Sequence, residues 1–364
     1  MVYPLDTLTE PVRPGLGSPQ LIFFCELENP ELHALLLSQQ VLPTLAAAGY
    51  GVALATRKLD EPTAAVARLL NRYHIPVIAW LLLPPGEGFW FHLQNYPQAI
   101  ERYRAFHRWA KGSGVQFQAV GLDIEPPTSE LDRIQRWGVR DLARRAWQAR
   151  ENVLFAAART AYTELIAEIH HDGYEVHTYQ LPILADDRRA GTTFVQRALD
   201  IVDLPADVEV LMCYSSAPLD ALGNDLGGAL ITSYGPVADS IGVGTLSGSA
   251  VRNSSSAGSP ALPWAAFERD LLLAARHTDT IYVYSLEGCV ECGLLPRLTT
   301  LDWHAECQAV RWKQDLVATV RSLILVWLLT ARFSRRLFPW LGWGLFALLF
   351  ARQARAALQR GQRR

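Results

Sequence analysis

Two carboxylates one residue apart, Asp123 and Glu125, are the side chains in this sequence best placed for acid–base chemistry. They close the run Phe117-Gln118-Ala119-Val120-Gly121-Leu122-Asp123-Ile124-Glu125, which Pro126-Pro127 stops. The apolar start of this run reads as a strand, and along a strand residues i and i+2 share a face. Asp123 and Glu125 then point the same way, with Gly121 beneath them. Prolines cannot continue a ladder, so the pair stands at the strand's end. Like charges a few ångströms apart resist ionising together, so one acid keeps its proton towards neutral pH. Glu125, nearer the mouth, is the expected proton donor. A strand end tied to Arg, Lys or loop amides gathers carboxylates too, so the pair alone does not establish chemistry.

The elements that hold this pair repeat along the chain. Strand-like apolar runs occur at 21–25, 51–55, 75–83, 117–125, 174–181, 208–214, 241–246 and 280–287. Helical stretches lie between them at about 31–48, 62–73, 96–111, 139–171, 193–202, 225–240 and 264–277. Continuous apolar strands joined by helices indicate a parallel sheet covered on both faces. Eight such units predict an α/β fold, a (β/α)8 TIM barrel over 21–312. Residues 1–20, rich in Pro and Gly, read as a loop. The alternative is an open doubly wound sheet. Against it, the first strand is followed by acidic Cys25-Glu26-Leu27-Glu28-Asn29 and not by a Gly-rich phosphate loop.

In such a barrel the active site lies at the strand C-termini. The predicted rim carries Glu26, Thr56, Trp80 to Leu83, Asp123, Glu125, Tyr179, Gln180, Tyr214, Ser247 and Glu287. Acids and aromatics on one rim suit a sugar, because rings stack on pyranose faces and carboxyls protonate glycosidic oxygens. Glu26, Trp80, Tyr179 and Gln180 are the expected substrate-binding residues, although Trp80 also suits barrel packing. His177 reads as a core histidine.

Gly121-Leu122-Asp123-Ile124-Glu125 resembles the fourth-strand signature of family-18 chitinases and related barrel glycosidases, which ends in Asp-x-Glu. Met212-Cys213-Tyr214 resembles the Met-x-Tyr of that family's sixth strand. Asp-x-Glu at this strand is also similar to family-25 lysozyme-like barrels. The resemblance implies a glycoside hydrolase-like enzyme in which Glu125 is the general acid, Asp123 orients it and Tyr214 hydrogen-bonds substrate. If the substrate does not assist, a second carboxylate acts as nucleophile or base, and Glu287 and Glu26 are the candidates. The longer family run has acids where this chain has Gln118 and Gly121, which leaves open a non-catalytic carbohydrate-binding or membrane-attached scaffold barrel. A third reading gives Glu26, Asp123, Glu125 and Glu287 to a divalent cation, as in phosphodiesterase-like barrels.

Cys289-Val290-Glu291-Cys292, with His304 and Cys307, has the residue types of a Cys₃His zinc site. A disulfide, or thiols without a partner, suits the same spacing. Five cysteines in 364 residues do not form a disulfide framework. The expectation is thiols without a partner and no cofactor, with zinc the alternative.

The formal net charge of −2 gives no reason to expect nucleic acid. The charge is uneven, because 332–364 holds arginines and no acid. Residues 316–331 and 337–351 are apolar runs split by Arg332-Phe333-Ser334-Arg335-Arg336. Each falls short of the roughly 20 residues that cross a bilayer. Residues 313–364 are therefore expected to form a hydrophobic helical hairpin or interfacial pair at a membrane surface. No secretory signal opens the chain, so a cytoplasmic, membrane-associated barrel acting on a glycan or glycolipid is the expectation.

Overall fold

The computed structural model describes residues 18–38, 40–127, 149, 152–214, 226–244, 262–333 and 352. The predicted second apolar run, Ser247 and most of the N-terminal loop lie outside these residues.

Eight parallel strands close on themselves in chain order. They are β1 (Gln20–Cys25), β2 (Gly51–Thr56), β3 (Val77–Leu81), β4 (Ala119–Ile124), β5 (Glu175–Gln180), β6 (Val208–Met212), β7 (Ser240–Gly244) and β8 (Thr280–Tyr284). The closing ladder pairs Leu21 with Ile281 and Phe23 with Val283. The helices between them are α1 (Glu31–Leu37), α2 (Val41–Ala48), α3 (Glu61–Arg72), α4 (Tyr96–Ser113), α5 (Leu154–His171), α6 (Ile183–Ala190), α7 (Phe194–Leu199), α8 (Gly227–Tyr234) and α9 (Trp264–Ala274). After β8 come α10 (Leu286–Glu291), α11 (Leu295–Thr299) and α12 (Arg311–Phe333). This is the (β/α)8 barrel that the alternation predicts, with an apolar C-terminal helix.

Parity along each strand divides the buried side chains into two cores. Leu21, Phe23 and Cys25 of β1 face the helices, as do Val120, Leu122 and Ile124 of β4. Ile22 and Phe24 of β1, with Ala119 of β4, face the barrel axis. The interior is filled by aromatic rings. Phe24 lies 5.0 Å from Trp80, 4.7 Å from Tyr179 and 5.4 Å from Tyr282. Gly121 makes room for this stack, because a Cβ there would stand 2.7 Å from Tyr179 Cζ and collide with its hydroxyl.

Two predicted boundaries move. β8 ends at Tyr284, and the Ser285 side chain accepts from the Gly288 N–H as the cap of α10, so Glu287 belongs to a helix. The early part of the predicted helix at 139–171 falls outside the described residues, and α5 itself begins at Leu154.

Candidate active site

The site is built on the end of β4. Asp123 faces the axis and is 3% exposed. Its Oδ2 accepts the indole N–H of Trp80 at 3.2 Å. Trp80 sits level with Gly121 on the neighbouring strand, so its ring reaches up to the acid two residues further on. Glu125 follows β4 directly and is partly open to solvent. The two carboxyls stand close enough to perturb each other's ionisation. Burial, and next the charge of Glu125, push Asp123 well above the ordinary carboxylate range. Burial, and next the charge of Glu26, push Glu125 up to about 7. Burial and neighbouring negative charge thus oppose ionising both acids together.

A third acid comes from the end of β1. Glu26 Oε2 lies 3.2 Å from Arg57 Nη2, and Arg57 Nη1 reaches the Glu26 carbonyl at 3.4 Å. Burial raises Glu26, while Arg57 and a hydrogen bond from Tyr284 oppose the rise. The guanidinium of Arg57 stands 4.9 Å from the Phe89 ring centroid. Phe89 belongs to the segment between β3 and α4, which folds back over the barrel. The Phe91 N–H donates to the Asp123 carbonyl at 2.9 Å, and the Leu83 N–H donates to the Phe89 carbonyl at 2.9 Å. Phe89 and Trp90 meet edge to face at 5.1 Å, half-buried above the inner aromatics.

Tyr214, two residues past β6, faces these acids. Burial, and next the charges of Asp123, Glu125 and Glu26, raise its phenol. Gly242 on β7 leaves it space, since a Cβ there would lie 3.3 Å from the Tyr214 ring. Its ring centroid is 6.1 Å from that of Tyr284. The geometry thus unites Glu26, Asp123, Glu125 and Tyr214 at one mouth. It adds Arg57, Tyr284, Phe89 and Trp90, which the sequence reading did not single out. A signal existed for each. Tyr284 follows Tyr282 at strand parity, Arg57 follows the end of β2, and Phe89-Trp90 lies in the Gly- and aromatic-rich segment after β3.

Other expected site residues stand elsewhere. Glu287 is 0% exposed, and its Oε1 accepts the Glu26 N–H at 3.1 Å from behind the strand. Its position in α10 turns it towards the Cys25 thiol and away from the mouth, so it is not available as a second catalytic carboxylate. Tyr179 faces the axis at 1% exposure, beneath Asp123, out of reach of a ligand at the mouth. Gln180, its neighbour, necessarily points the opposite way. Gln180 is buried against the Thr178 hydroxyl at 3.0 Å and does not face a substrate. Trp80 is buried and serves Asp123. Thr56 bonds the Trp80 carbonyl inside the wall. His177 meets the Tyr282 hydroxyl within the axis, a core histidine as expected.

The zinc expectation fails on placement. Helix α10 buries Cys289 and exposes Cys292, while Cys307 packs 3.8 Å from the Arg269 carbonyl. The intervening α11 keeps the pairs apart. Among the described residues no three His, Cys, Asp or Glu side chains converge as a metal site, and this includes the acids at the mouth.

Glu287 carries a testable consequence. Burial pushes it up to about 7 from 4.5. Its folded value is raised, so its contribution to stability is full below the unfolded value and is lost as pH rises through about 7. The loss amounts to about 3 kcal/mol. Chemical denaturation of Glu287→Gln, which cannot ionise, should show a flatter fall in stability between about pH 5 and 8 than the parent chain.

Fold and mouth together define a (β/α)8 barrel with its carboxyls at the C-terminal face, where barrel enzymes keep their sites. Among solved structures, the chain is similar to the PgaB (BpsB) glycoside hydrolase domain from Bordetella bronchiseptica, with 11% identity and a TM-score of 0.46 over 80% of this chain and all of that one. It is similar to the 3-keto-D-glucoside 4-epimerase YcjR from E. coli, with 14% identity and a TM-score of 0.42 over 78% of this chain and all of that one. It is also similar to a GH5-4 broad specificity endoglucanase from an uncultured bacterium, with 10% identity and a TM-score of 0.40 over 73% and 84% of the two chains. At these identities the likeness concerns the barrel fold. No family model and no curated protein matches the sequence.

Proposed function

We propose that this chain is a glycoside hydrolase-type enzyme in which Glu125 protonates a glycosidic oxygen. Its support is the pair of adjacent carboxyls at the mouth, Asp123 buried and Glu125 partly open, both raised by burial and neighbouring charge. A carboxyl pushed up to about 7 still carries a proton near neutrality, as a general acid must. Trp80 fixes Asp123 beside it through its indole N–H. Glu26, paired with Arg57, is the remaining carboxylate and serves as nucleophile or base, or faces the positive charge developing on the sugar. Tyr214 hydrogen-bonds the sugar, and Phe89 and Trp90 offer ring faces for it to stack on.

The test is release of reducing sugar from a panel of glycans and glycolipids by the full chain, from about pH 4 to 8. Cleavage of one panel member supports the reading. A glycan that binds and is never cleaved sinks it and leaves a carbohydrate-binding barrel.

A further inference from the structure

Helix α12 has two faces of opposite character. The inner face is fastened to the barrel flank. Arg321 Nη2 lies 2.7 Å from Asp186 Oδ1 of α6, and the same guanidinium stacks 3.8 Å from the Tyr234 ring centroid and bonds Ser233. Leu328 is fully buried there, Arg332 reaches the Ala190 carbonyl at 2.7 Å, and Gln314 reaches Thr232. The outer face exposes Trp312, Val320, Leu323, Val326, Trp327 and Phe333.

Two observations say what covers that face. Its hydroxyls are turned back onto the helix: Thr319 donates to the Asp315 carbonyl, Ser322 to Ala318 and Thr330 to Val326, at 2.7, 2.8 and 2.8 Å. A surface whose polar groups are satisfied within its own helix needs no water. The charge pattern is the second. Between Leu316 and Ala331 the only ionisable side chain is Arg321, which is turned inward, while Arg311, Lys313 and Arg332 mark the two ends. The following 333–364 adds seven arginines without an acid.

We propose that the outer face of α12 rests on an anionic lipid surface, with the helix lying flat between bilayer and barrel. By length and composition alone α12 is sufficient to cross a membrane. Crossing would strip Arg321 from Asp186, which is 2% exposed, and leave a carboxylate buried without its partner. Lying flat keeps every inner contact and buries the Trp- and Leu-bearing face to the depth of the headgroup boundary. The inference does not depend on the hydrolase reading.

Flotation of the full chain with vesicles tests it. The chain should float with phosphatidylcholine–phosphatidylglycerol vesicles and much less with phosphatidylcholine alone, and salt should weaken the binding. The pair Leu323→Glu and Val326→Glu should lower the floated fraction about tenfold or more without moving the melting temperature, because neither side chain packs on the barrel. A C-terminal tag should stay open to protease added outside sealed vesicles. Flotation indifferent to lipid charge and to both glutamates overturns the proposal. So does a chain that stays unbound and dimerises through this face, and so does a tag protected inside the vesicle.

Discussion

Glu125→Gln is expected to lower turnover of any glycoside the chain cleaves by about a thousandfold. The amide matches the carboxyl in size, so the mouth keeps its shape and binding survives. What disappears is the proton. The loss should depend on the leaving group, since an aryl glycoside with an acidic phenol departs with little protonation. Its rate should fall far less than that of an alkyl glycoside. Asp123→Asn should act differently. It replaces the acid group that opposes the rise of Glu125 with a weaker amide donor, so the alkaline limb of the rate profile should move to higher pH. Equal losses on aryl and alkyl substrates would remove Glu125 from the role of acid.

The largest effect on stability is expected at Gly121. An added methyl group would lie 2.7 Å from Tyr179 Cζ and 2.8 Å from Cε2, well inside contact distance. Tyr179 cannot withdraw, because Phe24, Trp80 and Tyr282 surround its ring. Gly121→Ala should therefore cost about 3 kcal/mol, the upper end for overpacking. Urea denaturation checks it, and Tyr179→Leu in the same chain should recover part of the loss. A single variant as stable as the parent would show that the interior has slack. The same contact explains why no acid stands at 121, where the chitinase-like run has one: the ring of Tyr179 takes that space.

Strand identity is legible throughout, because continuous apolar runs are a local property. The fourth strand and its Asp-x-Glu end needed only the sequence. Glu287 was misplaced for a local reason too. Ser285 can extend a strand or cap a helix, and only the Gly288 amide arriving at its hydroxyl decides. Tyr179 and Gln180 were both assigned to the mouth although adjacent strand residues face opposite ways, so parity alone could have separated them. Arg57 is different. Its value lies in meeting Glu26 across two strands, and nothing near either residue announces that meeting. Arg321 likewise reads as an interruption in an apolar run until Asp186, 135 residues earlier, comes to meet it.

The bond from the Glu26 amide to Glu287 spans 261 residues. During synthesis β1 emerges long before that partner exists. Tyr284, which also holds Glu26, arrives no earlier. A ribosome-bound chain ending before residue 280 can pair β1 to β2 and β4 to β5, yet its first acid has neither tether. The arrangement around Glu26 therefore completes late, and on the proposed hydrolase reading a chain truncated before β8 is expected to be inactive even where its earlier strands have folded.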